Sequence, residues 1–331
     1  MRVAIVKLSA MGDIIHAMAA LQFMKKYDPE LEIDWVVEEV FAPLLMHNPH
    51  VNNILPVNLK GLKKDAKQIF SEIKKVKRYA KNEYDLVIDA QGLVKSAIVA
   101  KILGRSVGFD KASIRESIAA YLYNNSFAIP YEKNVIERNL SLMMQAVGAN
   151  ERIVDLQHKE AFLFFDEADK AKAASFVKND VKNIVYILGS SWESKVYPAE
   201  KLIEVIGHME GNHLLVWGSD TEKERAAYIS QRTEAISMPK LTLNELKALI
   251  ASSDLVIGGD SGPTHMAWAL NRPSITLFGP TPAERNTLVT EINRVIDCGK
   301  KIDSHHLDRQ DMCIEKIAPE KIVSLAKELL S

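Results

Sequence analysis

The chain has 331 residues, of which 47% are hydrophobic and 26% are charged, and its formal net charge is −1. This balance is typical of a soluble globular protein and excludes fibrous, disordered and polycationic chains, so we expect no nucleic-acid partner. The length is too great for one ordinary core and fits two domains of roughly 150 residues each.

The first half alternates short apolar runs with amphipathic helical patterns. The sequence predicts strands at residues 2–8, 33–37, 54–57, 86–90 and 107–109. It predicts helices from the loop after the first strand to residue 27, and at 62–82, 93–103 and 135–147. Such alternation is typical of βαβ units and a parallel sheet. The longest uncharged run, 40–59, contains three prolines and cannot span a bilayer, and we expect no signal peptide at the N-terminus.

The second half repeats the alternation after a polar segment at 149–159. Strands are predicted at 184–188, 214–217, 255–258 and 274–278, with helices between them. The amphipathic last helix, Pro319–Leu330, is expected to pack on one of the two sheets, with packing back onto the N-terminal domain as one option. We therefore predict an α/β fold with two doubly wound Rossmann-type domains, 1–150 and 160–331, that face an inter-domain cleft where ligands bind.

The strongest local feature is the segment 257–265 (IGGDSGPTH), which follows an apolar strand and opens a helix. Glycines let the backbone approach a ligand, while the amides and the dipole at a helix start favour an anion such as a diphosphate. The same residues also suit an ordinary strand-to-helix turn capped by Ser or Asp. Three glycines with Asp, Ser, Thr and His exceed what capping needs, which favours a binding site.

Two further loops follow predicted strands of the same domain. In the first, Ser190, Ser191 and Lys195 suit phosphate contacts, although by spacing alone an exposed polar loop explains them better. In the second, Trp217 could stack on a base and Glu222 could accept hydrogen bonds from ribose hydroxyls, although core packing is the ordinary role of such a tryptophan. All three loops lie at the same edge of one predicted sheet, which favours a shared site.

In the first domain, Asp13 ends the loop between the first strand and the first helix. An aspartate there is expected to be the N-cap of that helix, and this structural role alone would explain it. A carboxylate at the same edge of the sheet could also act as a general base. The sequence does not separate these two roles, and both can hold together.

A strongly basic stretch runs from Lys60 to Lys81, with nine Lys or Arg residues against two acidic ones. Such a run is often simply a solvated helix face. The alternative is a platform for an anionic partner, either an acidic sugar or a negatively charged membrane surface.

Several common motifs are missing from the sequence. No GxGxxG follows the first strand of either domain, and no P-loop, HExxH, CxxC or GxSxG is present. The sequence therefore lacks the main features that would assign the chain to the dinucleotide-dependent dehydrogenases or the P-loop proteins. The two cysteines, Cys298 and Cys313, are too few for a disulfide framework or a four-ligand zinc site, which predicts a reducing compartment.

At these motifs the chain resembles the lipopolysaccharide heptosyltransferases, which are inverting glycosyltransferases of the GT-B fold. The resemblance covers nearly the whole sequence, and within the family it is closer to the enzymes that add the first heptose than to those that add the second. The residues that carry it are 6–13 (VKLSAMGD), 34–39 (DWVVEE), 88–96 (IDAQGLVKS), 260–265 (DSGPTH) and 277–281 (LFGPT).

The resemblance implies transfer of L-glycero-D-manno-heptose from ADP-heptose to the first Kdo sugar of Kdo2–lipid A, with inversion. Asp13 would be the catalytic base on the acceptor hydroxyl, and Lys195 would offset the charge of the leaving diphosphate. Lys60, Lys63, Lys64 and Arg115 would bind the acidic acceptor. The donor would be bound by Ser190, Ser191, Trp217, Gly218, Glu222, Asp260, Ser261, Gly262, Thr264 and His265.

A single displacement with inversion needs one base on the acceptor and charge stabilisation on the leaving group. No DxD-like pair follows a predicted strand, so we expect no metal, and no other cofactor is implied. A lipid acceptor implies a peripheral position on the cytoplasmic face of the inner membrane. Two alternatives stay open: a transferase that uses another nucleotide sugar or adds the second heptose, and a non-catalytic protein that binds a nucleotide sugar, in which Asp13 is only a cap.

Overall fold

Two six-stranded sheets contain every strand of the described chain, and all neighbouring strands run parallel. The computed structural model describes residues 1–61, 68–150 and 154–331. The chain divides into two compact units, Met1–Phe162 and Leu163–Ser331, each with one sheet. This architecture confirms the predicted α/β fold of two doubly wound domains, and the division falls just after the polar segment 149–159.

The sheet of the first unit has the strand order β3-β2-β1-β4-β5-β6. Its strands are β1 (Arg2–Val6), β2 (Glu32–Glu38), β3 (Asn53–Val57), β4 (Leu86–Asp89), β5 (Ser106–Phe109) and β6 (Asn125–Phe127). The helices of its described part are α1 (Met11–Met18), α2 (Ala20–Tyr27), α3 (Ile69–Tyr79), α4 (Val94–Leu103) and α5 (Val135–Ala146), with a 3-10 turn at Ser117–Leu122. The central strands are covered on both faces, which explains their nearly continuous runs of Val and Ile.

One hydrophobic cluster joins α3 and α4 to this sheet. Val76 of α3 and Val99 of α4 are buried in the same cluster as Val6 of β1. The helices α1 and α2 pack instead against α5. The two helices α3 and α4 therefore lie side by side over one region of the sheet.

The predicted elements of this half differ from the observed ones mainly at their ends. The first helix is divided at Ala19 into α1 and α2, and α3 ends at Tyr79. Part of the predicted helix 62–82 lies outside the described residues. Strand β6 was not predicted because it is a three-residue edge strand with a polar, mostly exposed sequence.

The sheet of the second unit has the strand order β12-β11-β10-β7-β8-β9. Its strands are β7 (Asn183–Ile187), β8 (Asn212–Val216), β9 (Ile236–Ser237), β10 (Leu255–Gly259), β11 (Ser274–Phe278) and β12 (Asn293–Asp297). The helices of its described part are α6 (Glu167–Ala174), α7 (Ala199–Gly207), α8 (Asp220–Ser230), α9 (Leu243–Ala251), α10 (Gly262–Ala269), α11 (Ala283–Asn286) and α12 (Pro319–Leu330). Strands β11, β10, β7 and β8 are consecutive neighbours, so the loops that follow them emerge side by side at one edge.

The last helix, α12, packs on the sheet of its own unit. It contacts α7, β10 and β11, and its apolar residues Ile322 and Ala326 are fully buried in the core cluster of that unit. Its apolar stripe thus covers one of the two sheets, as predicted, and additional packing onto the N-terminal domain stays a prediction. Nowhere in the described ranges does a helix combine the length and apolar character needed to cross a bilayer.

The two cysteines of the chain are joined. Cys298 and Cys313 form a disulfide with Cα atoms 5.6 Å apart, which closes the segment between β12 and α12. Counting cysteines did not predict this pair, because a separation of 15 residues says nothing about distance in the fold.

Candidate active site

A buried carboxylate lies at the edge of the second sheet where the predicted loops meet. Asp260 directly follows β10, and its side chain accepts hydrogen bonds from Lys195 Nζ at 2.7 Å and Thr281 Oγ1 at 2.8 Å. The other carboxylate oxygen lies 3.0 Å from His265 Nε2. Ser190 Oγ donates to the backbone carbonyl of Asp260 at 3.0 Å. The structure thus brings together residues from the loops after three neighbouring strands, β7, β10 and β11, as the sequence predicted for the first two.

The carboxylate of Asp260 is held in its ionised form. Burial alone would raise the pKa of Asp260, but the hydrogen bond from His265 and the positive charge of Lys195 outweigh it and keep the pKa below its usual range. Lys195 and Asp260 are both less than one tenth exposed. A buried pair with several hydrogen bonds of this kind fixes both side chains in one geometry.

The position of Lys195 depends on the glycine at the end of β10. Lys195 ends a 3-10 turn, Glu193–Lys195, that lies directly against the strand. A Cβ atom added at Gly259 would lie 2.1 Å from the backbone carbonyl oxygen of Lys195. Only glycine lets the two backbones approach this closely, which explains one of the glycines in the sequence motif.

The start of α10 provides the small polar groups of the motif. Ser261 is the N-cap residue of α10, and its hydroxyl lies 3.1 Å from the hydroxyl of Thr264. Thr264 Oγ1 in turn donates to the carbonyl of Gly259 at 2.8 Å. The Ser261 side chain makes no capping bond to its own helix, and its hydroxyl lies at the helix start beside the first amide, that of Gly262.

An aromatic ring beside Lys195 was missed by the sequence analysis. The Nζ atom of Lys195 lies 4.7 Å from the centre of the Trp192 ring, and the guanidinium carbon of Arg309 lies 4.6 Å from the same centre. Arg309 reaches this ring from the segment that the disulfide closes. Two cations next to one indole make this a positively charged part of the site, and no local sequence signal connects residues 192 and 309.

Thr281 was also missed as a site residue, although the run 277–281 carries part of the family resemblance. Its position in the loop after β11 is the signal that would have found it, since the loops after β7, β8 and β10 were chosen for the same reason. Ser191 lies in the β7 loop with its side chain exposed.

The loop after β8 contains the residues predicted for the adenosine end of a donor. The indole nitrogen of Trp217 donates to the carbonyl of Met238 at 2.6 Å, and the ring packs partly against the core of the unit. Glu222 Oε2 accepts a hydrogen bond from the amide of Gly218 at 2.7 Å. A Cβ atom added at Gly189 would lie 2.1 Å from the Glu222 carboxyl carbon, so the β7 and β8 loops touch. Trp217 therefore has the core-packing role, with part of its ring still accessible.

In the first unit, Asp13 lies at the third position of α1 and not at its N-cap. The helix begins after Ala10, and Asp13 Oδ2 accepts a hydrogen bond from the Ala10 amide at 3.0 Å. The N-cap prediction was therefore wrong by one turn, because the helix starts two residues before Asp13. The carboxylate of Asp13 is half-buried and accepts a hydrogen bond from a backbone amide at the helix start, so it helps to stabilise the N-terminus of α1.

The loop that carries Asp13 is tied to the neighbouring loop after β4. Gln91 Oε1 accepts hydrogen bonds from the amides of Leu8 and Ser9, both at 3.0 Å. The buried Asp89 accepts from the amides of Gln91 and Gly92 and so holds the loop after β4 in place. These contacts give a physical role to the 88–96 run, whose residues carry the resemblance but had no assigned function.

The predicted acceptor residues are only partly described. Lys63 and Lys64 lie outside the described residues. Lys60 is exposed, and its Nζ atom lies 4.7 Å from the centre of the Phe41 ring. Arg115 is exposed in the loop after β5. The structure does not bring Lys60 and Arg115 into a described contact, and their role stays a prediction.

A cavity of about 330 Å³ adjoins Lys60. It is also lined by Glu38 and Glu39, so its charge is mixed. Glu38 is buried, and its Oε1 atom lies 3.9 Å from Lys95 Nζ. An acidic ligand in this cavity would meet the carboxylates of Glu38 and Glu39 as well as the ammonium group of Lys60.

Asp260 and His265 are residue types that bind metal ions. In this structure one oxygen of Asp260 accepts from Lys195 and Thr281, and the other lies beside His265 Nε2. The expectation of a reaction without metal stays a prediction.

Comparison with known proteins places the chain in one family. The family described as glycosyltransferase family 9 (heptosyltransferase) matches residues 73–316. A lipopolysaccharide heptosyltransferase 1 of Campylobacter coli is 42% identical over 99% of both chains. The corresponding Escherichia coli K12 protein is 32% identical over 85% of this chain and 88% of its own.

Solved structures agree. The E. coli heptosyltransferase WaaC with ADP has a TM-score of 0.82 and 26% identity, and the match covers 99% of this chain and 100% of that one. Another structure of that enzyme, with ADP-2-deoxy-2-fluoro heptose, has a TM-score of 0.79. The resemblance seen in the sequence is confirmed, and the chain belongs to glycosyltransferase family 9, the heptosyltransferases.

Proposed function

We propose that this protein transfers L-glycero-D-manno-heptose from ADP-heptose to the first Kdo of Kdo2–lipid A in the synthesis of the lipopolysaccharide inner core. The observation that carries the proposal is the 42% identity to a lipopolysaccharide heptosyltransferase 1 over 99% of both chains. The similarity to a heptosyltransferase with ADP-2-deoxy-2-fluoro heptose supports the choice of donor.

The second unit binds the donor in this proposal. The diphosphate lies at the start of α10, where the backbone of Gly262 offers an amide and the Ser261 hydroxyl can turn from Thr264 to a phosphate oxygen. The Thr264 hydroxyl donates to the Gly259 carbonyl and so holds the turn that carries these donors. An ammonium group has three N–H donors, and the hydrogen bond to Asp260 uses one of them. Lys195 can therefore donate to a leaving phosphate oxygen while Asp260 keeps it in position. This arrangement stabilises the charge that develops on ADP as the glycosidic bond to it breaks.

The first unit supplies the base. Asp13 removes the proton from the attacking Kdo hydroxyl, the hydroxyl oxygen attacks the anomeric carbon, and ADP leaves from the opposite face, which inverts the configuration. One carboxylate oxygen is oriented by the Ala10 amide, which fixes the direction of the other. Positioned bases of this kind typically contribute about 10²–10⁴-fold to the rate.

The exposed residues Lys60 and Arg115 contact the acidic acceptor in this proposal, together with Lys63 and Lys64. Since the acceptor is a lipid of the inner membrane, the enzyme acts as a peripheral protein on the cytoplasmic face. Catalysis proceeds without a metal ion.

The test is ADP release by the purified protein with ADP-heptose and deacylated Kdo2–lipid A, with mass analysis of the product. We expect acceptor-dependent ADP and a product one heptose heavier. ADP release only with an acceptor that already bears the first heptose would contradict the acceptor assignment. Donor binding without any turnover on either acceptor would support a non-catalytic protein.

The role of Asp13 is tested by Asp13→Asn. Asparagine keeps an oxygen that can accept from the Ala10 amide, so the fold should survive while turnover falls by about 10²-fold or more. Asp169→Asn is the matched control, because Asp169 occupies the third position of α6 and accepts from the Asp166 amide in the same way. If both variants keep wild-type turnover, Asp13 is only a cap.

A further inference from the structure

Several large apolar side chains of the first unit are exposed. Phe70 in the first turn of α3 is 78% exposed, and Ile98 of α4 is 47% exposed. Ile118 and Tyr121 of the 3-10 turn Ser117–Leu122 are 67% and 74% exposed. Single exposed apolar residues are common on protein surfaces, but a group of four large ones on neighbouring elements is a mark of an interaction surface.

These four side chains lie on elements that adjoin one another. Helix α4 contacts both α3 and the 3-10 turn, and α3 and α4 share one core cluster. Glu116 Oε2 accepts a hydrogen bond from the amide of Val94 at 2.7 Å, which ties the turn to the start of α4. Both helices precede parallel strands of one sheet and so run in the same direction, with Phe70 in the first turn of α3 and Ile98 in the middle of α4.

The same surface is basic. Lys74 and Lys77 continue the line of Phe70 at helical spacing along α3, and Lys81 lies in the 3-10 turn Ala80–Asn82 directly after it. Lys101 lies one turn after Ile98 on α4. All four lysines are exposed. The acidic residue within α3, Glu72, is buried and pairs with Lys75 at 2.9 Å, so it does not offset them. We call Phe70, Ile98, Ile118, Tyr121 and these four lysines the apolar–basic face.

This combination fits an anionic lipid surface better than a protein partner. Aromatic and aliphatic side chains enter the boundary between headgroups and acyl chains, while lysines along the same helices meet negatively charged headgroups. Each basic residue near such a surface adds to the affinity, so the two kinds of side chain act together. A protein interface core is instead depleted of lysine.

We propose that the apolar–basic face binds the surface of an anionic phospholipid bilayer. Phe70, Ile118 and Tyr121 insert between the headgroups, and Lys74, Lys77, Lys81 and Lys101 contact their phosphates. The proposal concerns the bilayer alone and does not depend on the donor, the acceptor or catalysis. It goes beyond a peripheral position, since it names the surface by which the enzyme is attached.

The test is co-sedimentation of the full-length protein with sucrose-loaded vesicles that contain no acceptor lipid. Vesicles of phosphatidylcholine alone are compared with vesicles of phosphatidylcholine and phosphatidylglycerol, at low and high salt. We expect binding to the anionic vesicles that weakens with salt. Two triple variants are measured, Phe70→Ser/Ile118→Ser/Tyr121→Ser and Lys74→Gln/Lys77→Gln/Lys81→Gln. Each should lower the partition coefficient, the lysine variant by roughly 100-fold.

Matched controls come from the second unit. Val181→Ser/Val289→Ser removes exposed apolar side chains, and Lys240→Gln/Lys321→Gln/Lys327→Gln removes exposed lysines, without touching the face. Both controls should bind vesicles like the wild type. All variants should release ADP from a deacylated, water-soluble acceptor at the wild-type rate, which separates loss of attachment from loss of folding or activity.

Three results would overturn the proposal. The first is a wild-type protein that does not bind anionic vesicles or binds neutral ones equally well. The second is equal vesicle binding by the face variants and the wild type. The third is a wild-type dimer that the face variants convert to monomers, measured by light scattering, with vesicle binding unchanged; the face would then join two copies of the chain. Failure of heptose transfer would leave vesicle binding unaffected, so the two proposals fail independently.

Discussion

The buried pair of Lys195 and Asp260 allows a quantitative prediction for Asp260→Asn. The substitution keeps the shape of the side chain but removes the negative charge that Lys195 faces at 2.7 Å. Because Lys195 stays buried without its counter-charge, unfolding free energy should fall by about 3–5 kcal/mol. For a unit of this size a loss of 1 kcal/mol lowers Tm by about 2–4 °C, so Tm should fall by roughly 6–20 °C.

The assay is thermal and urea unfolding followed by circular dichroism. Asp254→Asn is the matched control, because Asp254 precedes the same strand and accepts a hydrogen bond from the Asn183 amide at 2.7 Å without facing a lysine. It should lose only about 1 kcal/mol. The double variant Lys195→Met/Asp260→Asn should regain at least about 1 kcal/mol relative to Asp260→Asn, since the unpaired cation is gone. If Asp260→Asn and Asp254→Asn are equally stable, the two charges are not coupled as described.

The pH dependence of this difference has a definite sign. The pKa of Asp260 is lowered in the folded protein, mainly because the His265 hydrogen bond and the Lys195 charge outweigh the effect of burial. The stability it contributes is therefore fully present above the unfolded pKa of about 4 and is lost as the pH falls toward the folded pKa. The gap between wild type and Asp260→Asn should be constant from pH 5 to 8 and should shrink below about pH 4. A gap that widens in acid would refute the assignment.

Three further predictions concern the candidate site. Gly259→Ala should destabilise the protein by about 1–3 kcal/mol in urea unfolding, since its Cβ would lie 2.1 Å from the Lys195 carbonyl, whereas Gly207→Ala, with no atom within 4 Å, should be neutral or stabilising. Glu222→Gln should raise the KM for ADP-heptose severalfold and leave kcat nearly unchanged, and an equal fall in kcat would place Glu222 at the reacting centre instead. Chelation of divalent metal ions should leave the initial rate of ADP release unchanged, and a loss that Mg²⁺ restores would contradict catalysis without metal.

The parts of the fold that were predicted from sequence are those where burial decides the residue types. Strands such as β7 and β10 are fully buried, so they appear as uninterrupted apolar runs. Strands β6 and β9 have only three and two residues and lie at sheet edges, where solvent exposure removes that signal. The strand order was not predicted, since β1 pairs with β4 and β7 with β10, and short crossovers place only consecutive strands side by side.

The candidate site was predictable to the extent that it follows strand ends. Asp260 was found because polar residues after a buried strand stand out in the sequence. Lys195 was assigned through the family resemblance, since spacing alone favoured an exposed polar loop there. Thr281 donates a hydrogen bond to the Asp260 carboxylate, but a threonine after a strand has many ordinary roles. Only the fold brings its Oγ1 atom within 2.8 Å of Asp260 Oδ2. Asp13 was correctly placed at the start of the first helix, yet its cap position was wrong because helix ends are set by local hydrogen bonds that spacing does not reveal.

The residues of the proposed donor site come from the loops after β7, β8, β10 and β11, which lie next to one another in the sheet but far apart in the sequence. A nucleotide bound as proposed would contact the loops after all four strands at once, so its site would exist only while the strands stay paired. Bound ADP should consequently slow amide hydrogen exchange in the interior of that sheet as well as in the loops it touches. At a concentration 100 times its Kd, ADP would add about 2.7 kcal/mol to the free energy of unfolding of the second unit. The nucleotide would then stabilise the fold of half of the chain.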